Sequence, residues 1–395
     1  MCYGGAMSRI YLDHNATSPL CAEAREAMLR ALDGGPGNPS SPHAKGGAAR
    51  RIVEAAREEV ARLIGASPED IVLTSGGTES NNLAIYGASG LFAGSARRVV
   101  TSAIEHASVL GPFEDLERRG LEVTRVRPTR DGVVESRAVL EAASEGTALV
   151  SLMLANNEIG TVQPVAEVGN PLARRGILVH CDASQAAGKM PVDVQDLAVH
   201  LMTLAGHKFG APQGVGALYV ARGLVLRPHL RGGGQELNRR PGTENVAAIA
   251  GLGAAAAAAQ RTLAERNAGV AELRDHMERE VLRRVPGSSV NGGASLRVPN
   301  TSSLAFKGIA AEALVFALDL EGIAVSSGAA CSSGTIKRSH VLLGMGLVDE
   351  AGASIRVSLG PTNTREEIAI FVETLERMVE RARKAAAWTV GQGRG

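Results

Sequence analysis

Five short apolar runs in this chain each end on side chains of the kinds that bind or catalyse. Ile-Val-Leu-Thr-Ser is followed by Gly76, Gly77, Thr78 and Glu79, and Val-Val-Thr-Ser-Ala-Ile by Glu105 and His106. Ser-Leu-Met-Leu-Ala is followed by Asn156, Asn157 and Glu158, Ile-Leu-Val-His-Cys by Asp182, and Leu-Met-Thr-Leu-Ala by Gly206, His207 and Lys208. Each cluster alone has an ordinary explanation. A Ser-Gly-Gly-Thr turn serves as a capped helix start, Asp182 as an N-cap, His106 as a core or rim histidine and Lys208 as a solvated loop lysine. A nucleoside triphosphate is disfavoured at the glycine turn, which lacks the Lys-Ser/Thr of a P-loop.

Taken together, the clusters describe one cofactor. Pyridoxal phosphate needs a phosphate cradle at a helix N-terminus, a carboxylate against its pyridine nitrogen and a lysine for a Schiff base. Gly77 and Thr78, Asp182 and Lys208 supply these in turn. His106 is then placed to stack on the ring, and Gln185, three residues after Asp182, to bond the ring hydroxyl.

The elements that must position these groups follow from periodicity. Seven β-branched runs (71–75, 99–101, 123–126, 149–154, 177–181, 201–204 and 217–220) alternate with stretches of helical spacing such as 109–119 and 165–175. That alternation predicts crossover connections and an α/β fold with a buried, mainly parallel sheet, in which ligands bind beyond the carboxyl ends of the strands. One long helix is expected through the alanine run 254–259 toward Val285, and another from Arg365 to about Lys384, opened by Thr364 and Glu367 at capping-box spacing. Turn formers at 286–299 announce a second, smaller α+β unit beginning in or before the first of these helices, and residues 10–13 suit either unit.

Composition narrows the partners. The 42 Lys+Arg offset 41 Asp+Glu to a net +1, which gives no electrostatic argument for nucleic acid or an anionic membrane. The longest apolar stretch, 251–259, is too short to cross a bilayer, so a cytoplasmic chain is expected. The four cysteines, Cys2, Cys21, Cys181 and Cys331, are widely spaced without a Cys-x-x-Cys pair, so neither a disulfide framework nor a metal site is expected.

Ten segments then fall in one order: YLDHNATSP (11–19), GNPSSPH (37–43), TSGGTESNN (74–82), EHASV (105–109), NNEIGTVQPV (156–165), CDASQAAGK (181–189), GHKFGAPQGVGALYV (206–220), RRPGTENV (239–246), SSGAACSSG (326–334) and IRVSLG (355–360). From about residue 10 to 380 the chain resembles the cysteine desulfurases of the NifS/IscS type. The resemblance implies a PLP-dependent transferase of fold type I, with a large domain at 17–260 and a small domain formed by 1–16 and 261–395. It implies removal of sulfur from L-cysteine to leave L-alanine and an enzyme persulfide, in a homodimer that delivers sulfur to an Fe–S scaffold or another acceptor protein. Lys208 would carry the cofactor and move the substrate α-proton, and His106 would stack on the ring and assist. His207 would join Gly77 and Thr78 on the phosphate, with Thr243 reaching in from the second subunit. Arg356 and Asn157 would hold the substrate carboxylate.

Cys331 lies among small residues that favour no regular element, which suits a thiol that enters the site, takes the sulfur and leaves. Its presence separates this reading from the alternatives of the same fold, a selenocysteine lyase or another class-V aminotransferase, which need no such nucleophile. Three positions depart from the family pattern: Ala205 stands where a hydroxyl residue commonly binds the phosphate, Ser184 where an apolar residue is frequent, and Ser18 where Thr is usual.

Overall fold

The structure, a computed structural model, describes residues 9–89, 97–327 and 338–392. Its strands are β1 (Ile10–Tyr11), β2 (Ile71–Thr74), β3 (Arg98–Ser102), β4 (Glu122–Val126), β5 (Thr147–Ser151), β6 (Leu178–Asp182), β7 (Leu201–Ala205), β8 (Gly216–Val220), β9 (Ser288–Val290), β10 (Thr301–Phe306), β11 (Ile323–Ala324) and β12 (Ser354–Ser358). The main helices are α1 (Ala22–Asp33), α2 (Ala44–Leu63), α3 (Gly77–Ser89), α4 (Ala107–Arg118), α5 (Ser136–Ala142), α6 (Val165–Arg174), α7 (Val194–Leu197), α8 (Val246–Arg261), α9 (Leu263–Arg284), α10 (Ala311–Leu320), α11 (His340–Gly344) and α12 (Arg365–Gln392).

The seven expected strands form one sheet in the order β2-β8-β7-β6-β5-β3-β4. Only β8 runs against its neighbours, because the chain turns straight back from β7 without a crossover helix. The central strands are buried on both faces, which explains why they read as continuous apolar runs rather than alternating ones. Helices cover the two faces, and the carboxyl ends of β2, β3, β5, β6 and β7 carry the polar clusters to one edge.

A second core collects Ile10 and Leu12 with Met277, Phe306, Leu314, Ile355 and Phe371, around the antiparallel sheet β12-β10-β9. The N-terminal strand joins this core, pairing Ile10 with Ile323 and Tyr11 with Ala324. The single helix expected through 254–285 is two. α8 and α9 meet at Thr262 with a bend of 75°, and Thr262 Oγ1 donates back to the Ala258 carbonyl at 3.0 Å, a local bond that competes with helix continuation. The capping box before α12 forms as expected: Glu367 N–H donates to Thr364 Oγ1 at 3.2 Å and Thr364 N–H to Glu367 Oε2 at 3.1 Å. No single helix among the described residues is long and apolar enough to cross a membrane.

Candidate active site

α3 starts immediately after β2, and the Gly76 carbonyl accepts its first helical bond from Ser80 N–H at 3.0 Å. The first-turn N–H groups after it have no acceptor inside the helix and face the strand ends. Gly76 has φ +144, a backbone that favours glycine, so the tight strand-to-helix turn depends on it. A Cβ at Gly77 would lie 3.1 Å from both the Ala205 Cβ and Ser184 Oγ. Gly77, Ser184 and Ala205 therefore enclose one small concavity at the helix start. Two of the three positions that depart from the family pattern share it, and Ser184 Oγ makes no hydrogen bond to the described residues.

Asp182 closes β6 and is 5 % exposed. Its Oδ1 accepts from Ser184 N–H at 2.9 Å, the local turn bond that the ordinary reading expects, while Oδ2 accepts from Asn81 Nδ2 at 2.7 Å. Asn81 also donates to Ser108 Oγ at 2.8 Å, and that hydroxyl lies 2.7 Å from His106 Nδ1. One chain of bonds thus runs from Asp182 to His106. His106 caps α4, and Ser108 N–H donates to its Nδ1 at 3.1 Å. A ring nitrogen that accepts a backbone N–H carries no proton, so the neutral imidazole holds its hydrogen on Nε2. Although its face is open, burial lowers the imidazole pKa ahead of any charge, with Asp182 pulling the other way.

Lys208 follows β7 in a single 3₁₀ turn, and its Nζ donates to the main-chain carbonyls of Asn15 at 2.7 Å and Ala16 at 2.8 Å. Its pKa is brought down to about 8, first by burial and then by the Arg356 guanidinium, against Asp182 and Asp13. His207 Nδ1 lies 3.2 Å from Thr17 Oγ1, and burial holds its pKa at about 4, so it is neutral at pH 7.

Arg356, 6 % exposed in β12, donates to Asp13 Oδ1 at 2.7 Å and to the Asn157 carbonyl at 3.1 Å. It is no surface arginine. Its Nε and the neighbouring Asn157 Oδ1 are both buried without a partner among the described residues. Buried polar atoms are rarely left so, and orphans on two neighbouring residues mark a place where a polar ligand completes the site.

The segment 326–334 lies between anchors on this site, and Cys331 itself falls outside the described residues, as does Cys2. Ser326 pairs its backbone with Arg356, N–H to carbonyl at 3.1 Å and the reverse at 2.6 Å. On the return side, Ser339 Oγ donates to Glu158 and His340 Nε2 lies 2.9 Å from the carbonyl of Glu105, the residue before His106. Cys181 is fully buried with its thiol pKa pushed up by burial, and Cys21 is half-buried with its pKa also raised, so neither is an activated thiol. Thr243 is exposed, on a turn tied to the α3 start by Arg240, whose Nε donates to Glu79 at 2.8 Å.

Sequence reasoning did not single out Asn15, Asn81, Ser108 or Lys189. Asn15 is 1 % exposed and all its polar groups are used: its carbonyl accepts from Lys208 and from Gln185 Nε2 (3.0 Å), its Oδ1 from Lys189 (2.9 Å) and Asn300 (3.0 Å), and its Nδ2 donates to Thr301 Oγ1 (2.8 Å) and to the Asn157 carbonyl (3.2 Å). These partners are more than 100 residues away in sequence, so no local pattern announces them. Lys189 carried one available signal, a lysine four residues after Gln185 in an otherwise apolar turn.

A mainly parallel sheet with an aspartate and a lysine at the ends of adjacent strands β6 and β7, and a glycine-opened helix after β2 on the far side of β8, defines a class of cofactor-dependent α/β enzymes. The aminotransferase class-V family model matches residues 10–371, and the chain belongs to that family. It is 42% identical over 375 residues to a cysteine desulfurase IscS of Dictyoglomus turgidum, with 95% of each chain covered. Among solved structures, a NifS-like protein superposes with a TM-score of 0.88 at 35% identity, covering 94% of this chain and 99% of the other. SspA in complex with cysteine superposes with a TM-score of 0.78 at 34% identity, covering 90% and 100%. Within its family the chain is a cysteine desulfurase, dependent on pyridoxal phosphate and acting on L-cysteine.

Proposed function

We propose that the site works through Lys208, His106, Asp182, Arg356 and Cys331, with the roles assigned as follows. The observation that carries this reading is the pair of orphaned atoms, Arg356 Nε and Asn157 Oδ1, beside a lysine whose pKa is drawn down to about 8. Pyridoxal phosphate, when bound, supplies the electron sink for bond changes at the amino acid's Cα and Cβ. The residues present fit it. Gly77, Thr78 and His207 face the phosphate from the α3 start and the β7 end. Ser184 Oγ, unbonded and in the same concavity, provides the hydroxyl that Ala205 lacks. Asp182, buried and held by Asn81 and Ser184, would face the pyridine nitrogen, and the remaining amide N–H of Gln185 would be available to the ring oxygen.

Arg356 and Asn157 hold the substrate carboxylate. Lys208 moves the proton at Cα, a task suited to an amine that is part neutral near pH 8. His106 offers its Nε2 hydrogen on the open side of the ring. Cys331 Sγ bonds to the substrate sulfur as the carbon–sulfur bond breaks and Cβ gains a proton, so that one thiol and one cysteine become one persulfide and one alanine. Ser326, whose backbone pairs with Arg356, stands five residues before Cys331 in the sequence.

The division at 260/261 is supported by the second core and the bend at Thr262, while Val298, Val341, Leu342, Met345, Leu347 and Ala351 of the later span pack in the first core. A homodimer is supported by the exposure of Thr243, the residue that the family reading sends to the second subunit's phosphate. An Fe–S scaffold or other acceptor protein as recipient, and a cytoplasmic setting, suit a free thiol carrier. The test is a short pulse of L-cysteine followed by peptide mass spectrometry. The extra sulfur is expected on the peptide containing Cys331, and Cys331→Ala is expected to bind cysteine without releasing sulfide. Sulfur on Cys21 or Cys181, or wild-type sulfide release by Cys331→Ala, overturns the assignment.

A further inference from the structure

Lys189 is a lysine with 7 % exposure, and among the described residues no carboxylate touches it. Its Nζ donates to Gln185 Oε1 at 2.6 Å and to Asn15 Oδ1 at 2.9 Å. A hydrogen-bonded turn, closed by bonds such as Lys189 N–H to the Ala186 carbonyl at 2.9 Å and bent at Gly188 (φ +73), brings the Lys189 amine back onto Gln185. Its own carbonyl is held by Asn267 Nδ2 at 2.7 Å, so the backbone that carries the amine is pinned from α9.

The charged and titratable groups facing Lys189 are Lys208, Arg356, Arg266, His14 and His207, and none is an acid. Burial, then the charges of Lys208, Arg356 and Arg266, lowers its pKa well below that of a free lysine. The two bonds observed fix the direction of the amine between Gln185 and Asn15. With Lys189 donating to the Gln185 carbonyl oxygen, the Gln185 amide nitrogen must face the other way. It does, donating to the Asn15 carbonyl at 3.0 Å, the oxygen that also accepts from Lys208. An amide has a second N–H, which is left for the site.

We infer that Lys189 is a positioning residue of the active site: a buried amine that fixes the orientation of the Gln185 amide and the Asn15 side chain, and through them the surroundings of Lys208. The inference rests on the reading of Lys208 as the cofactor lysine. Freed of Lys189, the Gln185 amide can turn and present its oxygen where its N–H stood.

The holoenzyme tests this by a double-variant cycle read in the pH midpoint of the cofactor's visible absorbance. Lys189→Met and Gln185→Leu are each expected to move that midpoint by at least 0.3 pH unit in the same direction, and the double variant by no more than the larger single shift. Turnover is expected to fall about 10-fold in Lys189→Met, with KM for cysteine within about twofold of wild type. Lys189→Gln, which keeps a donor, serves where the methionine variant does not fold, and is expected to shift the midpoint less. An unmoved midpoint in the Lys189 variants, or shifts that add in the double variant, overturns the inference. An absorbance band that persists in Lys208→Ala instead refutes the reading of Lys208, whatever Lys189 does.

Discussion

At Lys208 the lowered pKa has a consequence for the protein without cofactor. Between about 8 and the ordinary lysine value of 10.5, the unfolded chain holds a proton that the folded chain has released. Stability from this group therefore rises with pH across that window and is lost as pH falls through 8. In cofactor-free protein, Lys208→Met is expected to be more stable than wild type below pH 8, by a margin that shrinks toward pH 10.5. Denaturant melts at each pH measure it, and a margin independent of pH contradicts the assigned burial. The concavity shared by Gly77, Ser184 and Ala205 gives a second expectation. Ser184→Ala should weaken cofactor retention by the ~0.5–1.5 kcal/mol of one hydrogen bond, about 2- to 10-fold in dissociation rate, and Ala205→Ser in that background should restore it. Retention unchanged in Ser184→Ala means that the phosphate is satisfied elsewhere. The candidate residues His106, Asp182 and Lys208 were legible in the sequence because each lies at or just beyond the end of an apolar strand, whereas Cys331 was legible from its run of small residues. Asn15 and Lys189 were not, because their roles arise from contacts between distant segments.

Among the elements, the turn that carries Thr243 is held in an unfavourable backbone. Glu236, Leu237 and Asn238 have φ of 47, 55 and 64, three successive residues in the left-handed region without a glycine. Such residues cost about 1–2 kcal/mol each, so something must hold them. The Glu236 carboxylate accepts two bonds from Arg57 at 2.7 and 2.8 Å and one from Leu73 N–H at 2.8 Å, with only 2 % of its side chain exposed. Arg57→Met leaves that carboxylate buried and unpaired, and is expected to cost about 3–5 kcal/mol or to release the turn. Leu237→Gly is expected to be neutral or stabilising by up to ~1 kcal/mol. Thermal melts with limited proteolysis at 231–244 check both, and a destabilised Leu237→Gly contradicts the strain. The seven sheet strands were readable because strands buried on both faces are continuously apolar. The break at Thr262 was hidden, since alanine-rich sequence on either side favours helix and a single threonine bond decides the bend.

For the whole molecule, the fold leaves Thr243 exposed, with no hydrogen bond to Lys208, Asp182 or Thr78 among the described residues. If it serves the partner subunit, a mixture of Lys208→Ala and Thr243→Ala subunits contains hybrid dimers with one site that has both residues. Activity per intact Lys208 in those hybrids is expected to exceed that of Thr243→Ala alone and approach wild type. Equal activity places Thr243 in its own subunit's site. The N-terminal strand shows why domain membership was open in the sequence: residues 10–13 are too few for a pattern, and the pairing with residues 323–324 settles where they pack.

The claim on which the rest depends is that this chain converts L-cysteine to L-alanine with sulfur passing through the enzyme, using Lys208. The most direct measurement incubates the cofactor-loaded protein with L-cysteine and a thiol reductant and quantifies alanine and sulfide together. Alanine and sulfide in equal amounts are predicted, with at least about a 100-fold loss of both in folded Lys208→Ala. Sulfide accompanied by pyruvate and ammonia instead of alanine, or undiminished turnover in Lys208→Ala, would contradict the account.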